Sequence, residues 1–192
     1  MTEKDVLKIF KDEKALLSGH FLLSSGLHSP SYMQCALLLQ KPWIAKKLCD
    51  ALAKRLGKLT VDVVIGPALG GVIVSYEMGR ALKVRSIFAE RVNGELILRR
   101  GFSLKKNEKV LVIEDVVTTG KSTNEVIRIV KEQGAKVVAV GAVVDRGDGA
   151  AIFQEPFYSL LKINIKTYKP EECPLCKEGK IPATKPGSRG IK

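Results

Sequence analysis

The sequence predicts an α/β protein with a central, mainly parallel sheet flanked by helices. From residue 61 onward, short apolar runs rich in β-branched residues alternate with segments of helical period, as in successive strand–helix–strand units. The runs VDVVIG (61–66) and KVLVIED (109–115) are nearly continuous, as strands covered on both faces must be. A chain of 192 residues without an internal repeat fits one domain (1–192) and can bury a core without disulfide staples. An N-terminal segment of about residues 1–40 and a basic, Cys-containing tail of about residues 169–192 flank the alternating part.

The elements follow in order. Residues 2–17 have amphipathic helical spacing, with Val6, Ile9, Phe10, Leu16 and Leu17 on one side. Gly19, Ser24, Ser25, Gly26 and Pro30 then mark a polar loop. Pro42–Leu56 is again helical and stops at Gly57. The first strand, 61–66, closes on Gly66-Pro67, and a helix over 71–82 follows. Residues 84–90 read as the second strand, and ELILRRGF (95–102) alternates like an exposed hairpin arm. The third strand, 109–115, leads at Gly120 into a helix that runs to Gln133, and 136–145 and 161–168 read as the fourth and fifth strands. Lys177–Lys192 is dominated by Gly, Pro and Lys.

Charge and composition exclude several functions. The net charge is +12, from 32 Lys+Arg against 20 Asp+Glu. With 6% aromatic residues and no interleaving of aromatic and basic side chains, there is no stacking platform for nucleic acid. Arg91, Arg99, Arg100, Lys105, Lys106 and Lys109 cluster instead in one segment, which suits a small polyanionic substrate. No apolar run approaches the roughly 18 residues of a membrane helix, and the N-terminus lacks a signal-peptide core, so the expected location is cytoplasmic, with no membrane partner. Cys35 and Cys49 read as isolated buried thiols. Cys173-Pro-Leu-Cys176 supplies two of the four ligands of a structural zinc site, but His20 and His28 lie far off in sequence. Pro174 and the Gly/Pro-rich sequel place the pair in a plain loop of the tail.

Ligands of parallel sheets bind at the carboxyl ends of strands, so chemistry is expected after residues 65, 90, 115 and 145. The third strand ends in the paired carboxylates Glu114 and Asp115. Val116 and Val117 follow, then Thr118-Thr119-Gly120, and a helix opens with Lys121-Ser122-Thr123. Free amides and the dipole of that helix N-terminus make a phosphate cradle, to which the hydroxyls of Thr118, Thr119 and Ser122 add donors. Two carboxylates beside it would bind a sugar diol or Mg²⁺ rather than the phosphate they repel. A nucleoside-triphosphatase loop would need glycine where Asp115 stands.

Residues Val110–Ser122 resemble the phosphoribosyl pyrophosphate (PRPP) motif of type I phosphoribosyltransferases at every position. Gly19–Tyr32 is similar to the N-terminal signature of orotate phosphoribosyltransferases, Ile65–Gly71 to their pyrophosphate loop, and Val144-Asp145-Arg146 to the strand end whose arginine holds orotate. The resemblance spans roughly residues 15–150 and implies the type I phosphoribosyltransferase fold, with a small hood formed by the N-terminal region. It implies transfer of phosphoribose from PRPP to orotate, giving orotidine 5′-monophosphate and pyrophosphate, in a homodimer with shared active sites. Glu114 and Asp115 would be the catalytic pair. PRPP would be bound by them, by Val116, Val117, Thr118, Thr119, Gly120, Lys121 and Ser122, and by Leu69, Gly70 and Arg91. Thr118 and Arg146 would bind orotate. Mg²⁺ would be carried by PRPP, with Asp115 the side chain able to reach it.

Two departures stand out. The lysine of the N-terminal signature is Ser24 here, and the loop Arg91–Arg100 holds neither the Lys nor the His usual there. Arginines screen charge but do not act as acids near neutral pH, so proton transfer by a loop histidine is excluded. His20 and His28 read as structural hydrogen-bonders. The alternatives are a purine phosphoribosyltransferase, which would need no Arg146, and a nucleotide-sensing RNA- or DNA-binding regulator, which would not need both Glu114 and Asp115.

Overall fold

The structure is a computed structural model that describes residues 1–23, 25–147 and 153–186. Helix α1 (Glu3–Asp12) starts with a capping box: the Asp5 amide donates to the Thr2 hydroxyl, and the Thr2 amide donates to the Asp5 carboxylate. It buries Val6 and Phe10 against the main core. The helical pattern predicted through residue 17 breaks off at Asp12. Lys14 takes a positive φ of 53°, and Leu16–Leu22 (β1) instead pairs antiparallel with β2 (His28–Met33). The predicted polar loop is therefore largely a hairpin; cross-strand pairing outweighs the local signal of Gly19 and Pro30. Two helices, α2 (Ala36–Leu39) and α3 (Pro42–Leu56), follow, the second with Pro at its first position and Gly57 just past its end.

The central sheet contains β3 (Val63–Pro67), β4 (Arg85–Val92), β5 (Glu95–Leu98), β6 (Lys109–Val117), β7 (Lys136–Asp145) and β8 (Phe157–Lys162) in the order β5-β4-β3-β6-β7-β8. Every pairing is parallel except β4–β5, the predicted hairpin, which turns through Asn93-Gly94, both at positive φ. Helix α4 (Gly70–Leu82) joins β3 to β4, and α5 (Lys121–Glu132) joins β6 to β7. Successive side chains of the inner strands point to opposite layers. On β6, Leu111 and Ile113 join the core built with α1, α3 and α4, and Val110 and Val112 join the one built with α5. Both faces are buried, which is why these strands read as continuous apolar runs.

The fifth predicted strand lies earlier than its alternating pattern placed it, at 157–162, where Leu160 and Leu161 are buried. The chain beyond it runs extended to the N-terminal hairpin. His28 and Tyr168 exchange backbone hydrogen bonds, and Thr184 bonds in the same way to His20 and Leu22. Cys173 and Cys176 are not in a plain loop. They flank the first turn of a short helix, α6 (Pro174–Glu178), and lie against His20 and His28, which the sequence separates from them by well over a hundred positions.

Candidate active site

Adjacent strands β3 and β6 send their crossover helices in opposite directions, α4 towards β4 and α5 towards β7. This reversal opens a crevice at the carboxyl ends of the two strands. Glu114 and Asp115 enter it from β6. The turn Thr118–Gly120 and the first turn of α5 line it next, and Leu69 and Gly70 close it from the β3 side. Gly70 is required by close approach, because a Cβ there would fall on the Asp115 carboxylate. The Ala68–Leu69 peptide is cis, and the Leu69 side chain is 84% exposed.

Gly120 sits at the N-cap of α5 with φ 72° and ψ 10°, a left-handed conformation that aims the helix N-terminus along the crevice. No side chain caps that end. The Lys121 amide lies 3.4 Å from the Thr119 hydroxyl, while Ser122 is half-buried and Lys121 exposed.

The carboxylates are electrostatically unusual. Burial pushes Glu114 up to about 7, against the hydrogen bond donated to it by Thr123 and with a further upward push from Asp115. Asp115 is also raised by burial, against the backbone amide of Val116. Arg91, at the end of β4, is the cation that opposes the rise at Glu114. It pairs with Glu125 of α5 at 3.0 Å and donates to the Gly94 carbonyl. Arg100 pairs with Glu90 at 2.6 Å and lies over the Phe88 ring. The basic segment thus has acidic partners of its own.

One strand over, Val117 is in register with Asp145, and the Arg146 amide donates to the Val117 carbonyl at 2.8 Å. The Arg146 side chain is half-buried. Burial lowers its pKa, and Tyr32 and Cys35, brought in by the N-terminal hairpin and the turn after it, raise it.

The structure therefore gathers Leu69, Gly70 and Glu114–Ser122 in one crevice and sets Arg146 beside the same strand end. Arg91 faces it through Glu125. Ser24 lies outside the described residues. Sequence reasoning missed Thr123, whose fully buried hydroxyl orients Glu114, and Glu125, the partner of Arg91. A threonine one turn into a helix carries no local signal of the acid it serves. Tyr32 closes the N-terminal segment Gly19–Tyr32, but its place near Arg146 depends on how the hairpin folds back.

Comparison with known proteins places this arrangement. Residues 37–175 match the phosphoribosyl transferase domain family. The chain is 57% identical over 187 residues to an orotate phosphoribosyltransferase of Carboxydothermus hydrogenoformans, covering 96% of this chain and 97% of the relative. It is 55% identical over 187 residues to that of Thermotoga maritima, covering 97% and 100%. The crystal structure of orotate phosphoribosyltransferase from Aeropyrum pernix superposes with a TM-score of 0.73 at 27% identity, over 82% of this chain and 93% of that one.

Proposed function

The chain belongs to the phosphoribosyl transferase family, and from that premise we propose how its own residues move phosphoribose from PRPP to orotate. Relatives matched over nearly its whole length are orotate phosphoribosyltransferases, and the reaction is theirs: PRPP and orotate give orotidine 5′-monophosphate and pyrophosphate, a step of pyrimidine biosynthesis. One observation carries the residue-level reading. Adjacent strand ends present two half-buried carboxylates beside a helix N-terminus on β6 and a half-buried arginine on β7.

C1′ of the ribose passes through an oxocarbenium-like state, so the enzyme must position reactants and stabilise charge rather than form a covalent bond. Amides from Val117 to Ser122, with the hydroxyls of Thr118, Thr119 and Ser122, donate to the 5′-phosphate. Glu114, held by Thr123, and Asp115 accept from the ribose hydroxyls. Leu69 and Gly70 present backbone to the departing pyrophosphate, and Arg91 exchanges Glu125 for it. Arg146 pairs with the orotate carboxylate, and Thr118 sits near the base. The Asp115 carboxylate, seated against the bare Cα of Gly70, offers the hard oxygen donors that would hold magnesium. When bound with PRPP, that ion screens the pyrophosphate charge.

The same reading makes the chain a homodimer with shared sites. Leu69, Ile73 and Tyr76 form an exposed apolar stripe at the start of α4, next to the crevice, and a two-fold partner would cover it. Buried free thiols at Cys35 and Cys49 fit a reducing cytoplasm, and no described helix is long and apolar enough to cross a membrane. The test is a base panel. With PRPP and Mg²⁺, orotate alone should release pyrophosphate; release with adenine or hypoxanthine would overturn the role of Arg146.

A further inference from the structure

Away from the crevice, four groups with affinity for soft metals converge on one point. The ligand atoms of His20, His28, Cys173 and Cys176 all lie within 4.8 Å of one another. Cys173 Sγ and Cys176 Sγ are each 3.6 Å from His20 Nε2, and Cys176 Sγ is 3.2 Å from His28 Nδ1. A tetrahedral zinc with ordinary Zn–S and Zn–N bonds has N–S edges of about 3.6 Å and an N–N edge of about 3.3 Å. The two ring nitrogens stand 2.8 Å apart, so an ion would spread them by only a few tenths of an ångström.

A second observation is independent of these distances. His20 Nδ1 lies 2.8 Å from the Ile181 carbonyl oxygen, which can only accept. The ring hydrogen therefore sits on Nδ1, and Nε2 turns a lone pair into the cluster, the outer-shell arrangement that orients a metal-binding histidine. A third concerns what holds the tail. Among the described residues after Leu161, Cys173 is the only fully buried one. The segment from Tyr168 to Thr184 nevertheless keeps ordered backbone pairing with the N-terminal hairpin. Apolar burial does not hold it there.

We propose that His20, His28, Cys173 and Cys176 form a structural zinc site that staples the C-terminal segment to the N-terminal hairpin. Four protein ligands fill the tetrahedron and leave no open position, so the ion is structural rather than catalytic. Binding converts both thiols to thiolates and releases their two protons to solvent. The ion fastens the hairpin that carries Tyr32 towards Arg146, yet its presence can be tested without any turnover.

The untagged chain, expressed with added zinc and purified under reductant without chelator, should carry one zinc per chain by elemental analysis. Cobalt added to the chelator-stripped, reduced chain should give the intense visible bands of a tetrahedral ion and a thiolate charge-transfer band. Cys176→Ser, at an exposed position, should cut zinc content at least tenfold and speed tryptic cleavage of the tail, whereas Glu178→Gln should change neither. Zinc-free protein with a featureless cobalt titration would overturn the proposal. So would stoichiometric iron in place of zinc, or a Cys173–Cys176 disulfide in the chain as purified.

Discussion

Glu114 combines a donated hydrogen bond from Thr123 with surroundings that raise its pKa from 4.5 to about 7. Between those values the unfolded chain ionises this group while the folded chain keeps its proton, so folding stability falls as pH rises and levels off above 7. The full swing is on the order of 3 kcal/mol, and Asp115 adds to it in the same direction. Urea unfolding of the ligand-free chain should therefore show Glu114→Gln more stable than wild type at pH 8, with the gap closing towards pH 4.5. A gap that does not change with pH would mean that Glu114 titrates normally. Arg146 makes a different prediction. A charge-assisted pair is worth about 1.5–3 kcal/mol, so Arg146→Ala should raise the orotate KM by roughly 10- to 100-fold and leave the PRPP KM nearly unchanged. Steady-state kinetics with each substrate varied in turn decide it, and equal effects would move orotate elsewhere.

The turn from β6 into α5 depends on Gly120. At φ 72° a β-branched residue costs about 1–3 kcal/mol, and relief of that strain would rotate the first turn of α5 away from the phosphate. Gly120→Val should thus weaken PRPP binding at least tenfold by calorimetry while circular dichroism keeps the sheet; wild-type affinity would put the phosphate elsewhere. This turn was legible in the sequence, as were β6, α5 and β7, because strand, turn and helix signals there lie within a few residues of each other and agree with the tertiary environment. The N-terminal hairpin was not. Its strands carry Gly, Ser, His and Pro, and pairing with each other and with residues near 168 and 184 gives them their conformation. The cluster of His20, His28, Cys173 and Cys176 was hidden for the same reason, since spacing along the chain says nothing about a tail that folds back over the molecule's other end.

At the scale of the whole molecule, the proposed two-fold partner can be tested by mixing. Asp115→Asn and the double variant Arg99→Ala/Arg100→Ala should each be nearly inactive alone. If the β4–β5 hairpin serves the partner's crevice, subunit exchange makes heterodimers with one intact site, and activity should return; demonstrated exchange without recovery would confine the hairpin to its own chain. The backbone pairing of His20 and Leu22 with Thr184 has a different consequence, in the order of folding. The hairpin precedes the central sheet along the chain and the Thr184 segment follows it, so the sheet can assemble while the hairpin still waits for that partner. Closing that long loop carries an entropic cost, which the His28–Tyr168 backbone pair beside it helps to offset. Docking of the Thr184 segment onto the hairpin can thus come late in folding, and a change that weakens it should disturb the hairpin before it disturbs the core.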